Sequence, residues 1–297
     1  MVETSLQALI EGVTSGLIVP YLGAGALKGT THCDTGEPIP ADSDSLILAM
    51  NNGRPMAPRL MYEFPRAAMD VELKRGRSAV TRFLDTTYAA TPWTRSPLHD
   101  WLAGIKPPYV IDINRDTQLQ DSYADTPHTL IRGIARVAGT QYRFRIHHYD
   151  GEKYSAREID QNEVDPTLPV LFKPMGSPLP DATYIASDAD YVDFITELMG
   201  GFAIPDFVKS YRKGKHYLFL GLRMTRDTER MVLSDMIYSA GEPAGWALIP
   251  EPTEKERRFC QRQRIEIIEA DIDELISTAA LSPTLEPEYT LQHDVGC

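Results

Sequence analysis

Cysteine is scarce in this chain of 297 residues, which has three, Cys33, Cys260 and Cys297. No two of them form the C-x-x-C pair from which a four-cysteine zinc module is built, so that type of site is excluded and no bound metal is expected. Three scattered cysteines also provide no disulfide framework. This pattern favours a reducing, cytoplasmic compartment.

Basic residues and long apolar runs are also in short supply. Lys and Arg number 30 against 42 Asp and Glu, which gives a formal net charge of −12. A non-specific nucleic-acid binder needs clustered basic side chains for its phosphate contacts, so no nucleic-acid partner is expected. No stretch reaches the roughly 18 apolar residues of a membrane helix, and the first residues lack the pattern of a secretory signal. We therefore expect a soluble protein with no membrane contact.

The chain does contain short apolar runs that alternate with segments of helical periodicity. The runs that predict strands are 17–22, 109–113, 142–146, 168–172, 217–221, 246–249 and 265–268. Strands that alternate with helices predict an α/β fold, here a Rossmann-like parallel sheet with helices on both faces. We expect one domain over residues 1–280, with a mostly helical cap at about 28–100 inserted after the first strand. Residues 281–297 lack periodicity and predict a flexible C-terminal tail.

The first predicted strand leads directly into a glycine-rich turn, Gly23-Ala24-Gly25-Ala26. Glycine lets the backbone turn sharply and approach an anion closely, and the N–H groups that follow can point at that anion. The turn therefore predicts a site for the phosphates of a nucleotide. A tight turn without a ligand has the same sequence, and the motif alone does not separate the two interpretations.

Three later strands also end in polar or glycine-containing segments. These segments are Asp112-Ile113-Asn114-Arg115-Asp116, Lys173-Pro174-Met175-Gly176-Ser177 and Gly221-Leu222-Arg223. The carboxyl ends of parallel strands face the crevice in which open α/β sheets bind ligands. Asn114 can orient a water or a ribose hydroxyl because its amide both donates and accepts, and Arg223 and Arg226 can hold a phosphate. Turn, capping and surface roles are the alternatives for these side chains.

In order and spacing, these segments resemble the sirtuin-like family, in the branch of bacterial NAD-consuming defence proteins. The first turn matches the family's Gly-Ala-Gly-x-Ser, with Leu27 in place of Ser. Asn114 and Asp116 match the Asn and Asp of Thr-Thr-Asn-Tyr-Asp. Met175 stands at the His of Lys-Leu-His-Gly, and Gly221 opens a looser match to Gly-Tyr-Ser-x-x-Asp. The resemblance covers roughly residues 5–272.

The resemblance implies NAD or an ADP-ribose-type nucleotide as the ligand. Residues 23–26 and Gly176 would then belong to the cofactor site, with the diphosphate held by the first turn. Asn114 and Asp116 would lie near the nicotinamide ribose, and Gly221 and Arg223 would meet the adenosine half. The resemblance is also compatible with a homo-oligomer or a protein partner.

The replacement at Met175 bears directly on catalysis. In active members of the family the His acts as general base, and a thioether cannot accept a proton at pH 7. We therefore expect a nucleotide-binding pseudoenzyme whose hydrolysis is weakened or lost. The alternative is an active NAD glycohydrolase that uses another base. His147 and His148 follow a predicted strand and are the candidates, although a solvated strand end explains them as well.

Overall fold

The computed structural model describes residues 5–281, so nearly all of the predicted C-terminal tail lies outside the described residues. The strands are β1 Ile18–Leu22, β2 Tyr109–Asp112, β3 His128–Gly133, β4 Phe144–Tyr149, β5 Val170–Lys173, β6 Gly176–Ser177, β7 Thr183–Tyr184, β8 His216–Leu220, β9 Gly245–Leu248 and β10 Ile265–Ile268. The helices are α1 Leu6–Thr14, α2 Ser43–Met50, α3 Phe64–Arg75, α4 Arg77–Asp85, α5 Pro97–Ile105, α6 Gln118–Ser122, α7 Asp188–Met199, α8 Asp206–Tyr211, α9 Asp227–Met236, α10 Glu254–Gln263 and α11 Ile272–Leu281.

Eight strands form one sheet in the order β10-β9-β8-β1-β2-β5-β3-β4, and β6 pairs separately with β7. Neighbouring strands of the large sheet are parallel, except that β4 runs antiparallel to β3 at one edge. The architecture confirms the predicted α/β fold with a Rossmann-like, mostly parallel sheet. The antiparallel edge strand is the departure from that prediction.

Two apolar cores cover the two faces of the sheet, because successive residues of a strand point to opposite sides. Val19 and Tyr21 of β1 belong to one core, together with residues of α7 and α9. Ile18 and Leu22 belong to the other, together with residues of α1, α5 and α11. Helix packing on both faces explains why the inner strands are continuous apolar runs.

The segment between β1 and β2 contains helices α2 to α5, and its helices α2 to α4 form an apolar core of their own. Tyr184 and Ala186, from the segment before α7, pack into that core. Asp190 of α7 is buried and forms ion pairs with Arg77 and Arg136. Arg77 lies in α4, and Arg136 also pairs with Glu72 of α3, so these contacts fasten the helical segment over the carboxyl ends of the strands.

Candidate functional site

A cavity of about 700 Å³ lies where the chain connections of the sheet diverge. Strand β1 pairs with β8 on one side and β2 on the other, so the ends of all three strands meet there. This is the position at which open α/β sheets bind ligands, and the volume suits a small molecule or cofactor. Helical residues such as Phe64 and Tyr88 complete the wall.

The predicted phosphate turn lies in the cavity wall, but most of its amides are occupied. The Gly23 N–H donates to the Leu220 carbonyl, the Gly25 N–H to the Gly221 carbonyl, and the Ala26 N–H to the Gly23 carbonyl, each at 2.9 Å. The expectation that these three amides point at a ligand is therefore wrong. Outside its own short 3₁₀ turn, the Ala24 N–H has no acceptor among residues 5–281.

Close packing between two turns explains why glycine is needed there. A Cβ on Gly25 would lie 2.7 Å from the Cα of Gly221, closer than real Cβ contacts allow. Gly221 itself has φ of +71°, and a Cβ there would lie 2.4 Å from the Ala26 nitrogen. Gly23, Gly25 and Gly221 all line the cavity, whereas Ala26 is buried behind it. The glycines bring the ends of β1 and β8 together and so shape the floor of the cavity.

Asn114 lies in the cavity wall, and its amide orientation is fixed by its neighbours. Its Nδ2 donates to the Gly23 carbonyl at 2.9 Å and to Asp112 Oδ1 at 2.8 Å. Both partners are acceptors, so the nitrogen must face them. Its Oδ1 accepts no hydrogen bond from the described part of the chain and can receive one from a ligand or a water. Of the predicted catalytic residues, Asn114 is the one that the structure brings into this cavity.

A buried ion pair supports Asn114 from behind. Lys173 Nζ lies 2.5 Å from Asp112 Oδ2, and both side chains are fully buried. Asp112 also accepts from the Asn114 backbone N–H at 2.9 Å. The pair therefore links the ends of β2 and β5 and holds the Asn114 loop. The sequence showed a Lys and an Asp at strand ends without showing that they meet.

Met175 lines the cavity, but the glycine beside it does not. Gly176 begins β6 with φ of +84°, and a Cβ there would lie 2.0 Å from the Thr183 carbonyl oxygen. Glycine is needed so that β6 can pair with β7. Its predicted place in the cofactor site is therefore replaced by a structural role.

Asp116 does not line this cavity either, but a smaller one of about 220 Å³. Its Oδ1 accepts from the Gln118 N–H at 2.7 Å, while its buried Oδ2 has no partner. Burial raises the pKa of Asp116 to about 6, an effect that Lys173 opposes and Asp112 reinforces. The carboxyl is thus charged at neutral pH at a cost to the folded state.

Replacing Asp116 by Asn should therefore change stability in a pH-dependent way. The folded pKa of about 6 lies above the ordinary 3.8, so the cost of ionisation is absent below pH 3.8 and complete above pH 6. Asp116→Asn removes that cost, so we expect its stability relative to wild type to be about 1–2 kcal/mol more favourable at pH 8 than at pH 5. Urea unfolding at both pH values measures the difference. The exposed Asp100→Asn serves as the control. If the free energy of unfolding of both variants, relative to wild type, changes equally between pH 5 and pH 8, the prediction is contradicted.

The structure separates His147 and His148 from the cavity. As an alternative base, at least one of them would have to lie at the same sheet edge as the cavity, but β4 is antiparallel and pairs them with Leu130 and Thr129. They therefore lie towards the opposite end of the sheet. His147 Nε2 also contacts the buried Arg132 guanidinium at 2.9 Å, and burial followed by this charge lowers its pKa.

One buried cation faces the cavity without an acidic partner. The Arg115 guanidinium donates to the Ile185 carbonyl at 2.6 and 2.9 Å and to the Tyr191 hydroxyl at 3.1 Å. No carboxylate oxygen of the described chain lies within 4 Å of it, so its charge is not neutralised by an ion pair. Arg223, which was predicted to bind the ligand, also lines the cavity, but it pairs with Glu256 at 3.0 Å. Arg115 is the stronger candidate for an anion contact and was missed as one from the sequence.

Two carboxyl groups, Glu63 and Glu229, lie in another part of the wall. Burial raises the pKa of both. Neither was identified from the sequence, because neither lies at the end of a strand: Glu63 immediately precedes α3, and Glu229 lies in the first turn of α9.

Residues 5–281 contain no group of three or more His, Cys, Asp or Glu side chains that could hold a metal ion. Over the same range, no helix combines the length and the apolar character needed to cross a membrane.

Comparison with known proteins identifies the family of this chain. A search of curated proteins found no match to the chain. A family model described as a SIR2-like domain matches residues 110–268, more than half of the chain. The match runs from β2 to β10 and includes Asn114, Met175 and Gly221. It confirms the sirtuin-like assignment and implies an NAD-related ligand and function in general. This chain belongs to the SIR2-like domain family.

Proposed function

We propose that the cavity binds NAD or a related ADP-ribose-type nucleotide, and that the family's His-dependent hydrolysis is weakened or lost. The observation that carries this proposal is the composition of one cavity at the divergence point of the sheet. It combines the free Oδ1 of Asn114, the unpaired guanidinium of Arg115 and the thioether of Met175.

The diphosphate of such a nucleotide needs positive charge, and Arg115 is the best placed source. Arg115 follows Asn114, whose amide contacts the Gly23 carbonyl of the glycine turn. In this binding mode, the guanidinium and the Ala24 N–H share the phosphate oxygens. A guanidinium held by neutral partners keeps its charge available for an anion. The amide cradle first expected from the sequence is thus replaced largely by a side-chain contact.

The rest of the cavity suits the other parts of the nucleotide. Apolar surface for the adenosine half is offered by residues 248–250, at the end of β9, and by Ile272, at the start of α11. Asn114 offers its Oδ1 to a ribose hydroxyl or a water. Met175 offers no proton acceptor at the position of the family His, and a positioned base contributes about 10²–10⁴ in rate. Binding without efficient His-type turnover follows from this combination.

Binding of ADP-ribose tests the proposal without requiring turnover. We expect saturating ADP-ribose to raise the melting temperature, since a ligand at 100 times its Kd adds about 2.7 kcal/mol to stability. Arg115→Ala should weaken binding by about 10–100-fold, because a hydrogen bond to a charged group contributes about 1.5–3 kcal/mol. Isothermal titration calorimetry measures both affinities.

The control for this test is Arg257→Ala. Arg257 is a surface arginine that pairs with Glu269 and does not line the cavity, so its loss should leave the affinity unchanged. Absence of any heat or thermal shift with millimolar ADP-ribose on the wild-type protein would refute the nucleotide site. Equal affinities of Arg115→Ala and wild type would refute the role given to Arg115.

A further inference from the structure

Glu229 is a carboxyl group with no structural task in the described protein. It lines the cavity, is partly buried, and makes no hydrogen bond or ion pair with residues 5–281. Its place in the first turn of α9 would allow it to cap that helix. Glu63 performs that task instead, because its Oε1 accepts from the Asp227 N–H at 3.2 Å. Glu229 is thus left facing the ligand space.

The charges around Glu229 are engaged elsewhere. Arg230 pairs with Asp227 at 2.9 Å, and the Arg226 guanidinium lies 5.0 Å from the centre of the Tyr62 ring. Arg115 is held by the Ile185 carbonyl and the Tyr191 hydroxyl. None of these three arginines reaches ion-pair distance of Glu229 within the described chain. Each acts on it at longer range, and Glu63 adds a like charge.

These surroundings give Glu229 the protonation behaviour of a base at neutral pH. Burial, followed by the charge of Glu63, raises its pKa to about 7, against the opposing effect of the three arginines. A base is most effective when its pKa lies near the working pH. An unpaired, partly buried carboxyl with a shifted pKa in a cleft is also a physical marker of a functional group.

We propose that Glu229 is the general base through which this protein cleaves the nicotinamide–ribose bond of a bound NAD-type nucleotide. This inference rests on the proposed nucleotide site. Asn114 Oδ1 lines the same cavity and can receive a hydrogen bond from a ribose hydroxyl or a water, and the free Glu229 carboxylate can accept a proton from a water. Met175 cannot do so, and His147 and His148 lie away from the cavity.

The step balances without a further reactant. The water oxygen forms a bond to C1′ of the nicotinamide ribose, and the bond between C1′ and the pyridinium nitrogen breaks. Nicotinamide leaves with the bonding pair as a neutral molecule, and the water proton passes to the Glu229 carboxylate. The products are nicotinamide and ADP-ribose, and the proton is then released to solvent.

Glu229→Gln tests the role of the carboxylate with little change in shape. We expect slow nicotinamide release from NAD by the wild-type protein, seen by chromatography, and a rate about 10²–10⁴-fold lower in the variant. The affinity for ADP-ribose, measured on the same samples, should stay within about threefold. The exposed Glu254→Gln is the matched control and should keep the wild-type rate.

The pH profile separates a base from a merely structural residue. Wild-type release should rise as the pH passes upward through about 7, because the ionised carboxyl is the active form. Glu63→Gln removes the neighbouring negative charge, so the rise should move to lower pH. A wild-type profile that is flat between pH 5.5 and 8.5 would overturn the proposal.

Two other results would overturn it in distinguishable ways. If the wild-type protein binds ADP-ribose but releases no nicotinamide, or if Glu229→Gln releases it at the wild-type rate, the role of Glu229 is wrong and the nucleotide site stands. If the wild-type protein does not bind ADP-ribose, the proposed function and the role of Glu229 fail together.

Discussion

Replacing Lys173 by Met should lower the free energy of unfolding by about 3–5 kcal/mol, the usual loss when one partner of a buried ion pair is removed. Lys173 and Asp112 are both fully buried, at 2.5 Å from each other. In the variant, the Asp112 carboxylate keeps its two hydrogen bonds from Asn114 but loses its counter-charge. We expect a fall in melting temperature of roughly 10 °C.

An exposed lysine provides the matched control for this experiment. Lys74 pairs with Asp70 at 2.7 Å on the surface of α3. Surface pairs contribute about 0–1 kcal/mol, so Lys74→Met should have little effect on unfolding. Adding Asp112→Asn to Lys173→Met should recover part of the lost stability, because no unpaired charge then remains buried. Similar unfolding free energies for Lys173→Met and Lys74→Met would show that the buried pair does not carry the stability assigned to it.

The same pair joins stability to the site. Asp112 holds both the backbone and the side chain of Asn114, which contacts the glycine turn through the Gly23 carbonyl. Loss of Lys173 should therefore weaken ADP-ribose binding as well as folding. The Asn114 loop follows β2, is anchored through Asp112 to Lys173 at the end of β5, and contacts Gly23 at the end of β1.

The parallel sheet was predictable because its inner strands are buried on both faces. The runs at 109–113 and 217–221 correspond to β2 and β8, whose residues are almost entirely buried. The strand β3, by contrast, was missed. It contains His128 and Arg132, which are buried with hydrogen bonds from their side chains to Tyr154 and Asp181, respectively. A search for apolar runs does not find a buried strand whose polar residues are paired with distant parts of the chain.

The direction of β4 could not be read from the sequence either. A strand pattern gives alternation but no direction, and direction decides to which edge a side chain belongs. This is why the sequence left two interpretations open for His147 and His148, a base at the ligand crevice or a strand end away from it. Asn114 does lie in the cavity wall, because the position of β2 in a parallel sheet fixes where its carboxyl end lies.

The acidic part of the site was hidden for a different reason. Glu63 comes from the helical segment and Glu229 from the side of a helix. Neither was found, because site residues were sought at the carboxyl ends of predicted strands. Their closeness depends on how the helical segment is fastened over the sheet, through contacts such as those of Asp190 with Arg77 and Arg136. Such an arrangement is a product of tertiary packing and leaves no local signal.

Gly221→Ala should also be strongly destabilising, by about 2–5 kcal/mol. Two separate effects contribute to that figure. Alanine in a left-handed conformation costs roughly 1–2 kcal/mol, and an added atom in a packed position costs typically 1–3 kcal/mol. Gly221 has φ of +71°, and its Cβ would lie 2.4 Å from the Ala26 nitrogen. That nitrogen is backbone, so relief requires the two turns to separate.

Separation of the turns should affect the ligand more than the sheet. The Gly25 N–H donates to the Gly221 carbonyl at 2.9 Å, and both residues line the cavity. We therefore expect Gly221→Ala to weaken ADP-ribose binding by more than about tenfold at a temperature at which the variant is still folded. Calorimetric titration, with circular dichroism as the check on folding, measures this effect.

Gly104→Ala is the matched control, because Gly104 lies inside α5 with open space around its Cβ position. There, alanine should stabilise the protein by about 0.5–1 kcal/mol and leave binding unchanged. The same change, glycine to alanine, is thus expected to lower the free energy of unfolding at position 221 and to raise it at position 104. If Gly221→Ala unfolds at the same urea concentration as Gly104→Ala, the two turns are not in close contact. The floor of the cavity would then not be the rigid surface that the proposed nucleotide site requires.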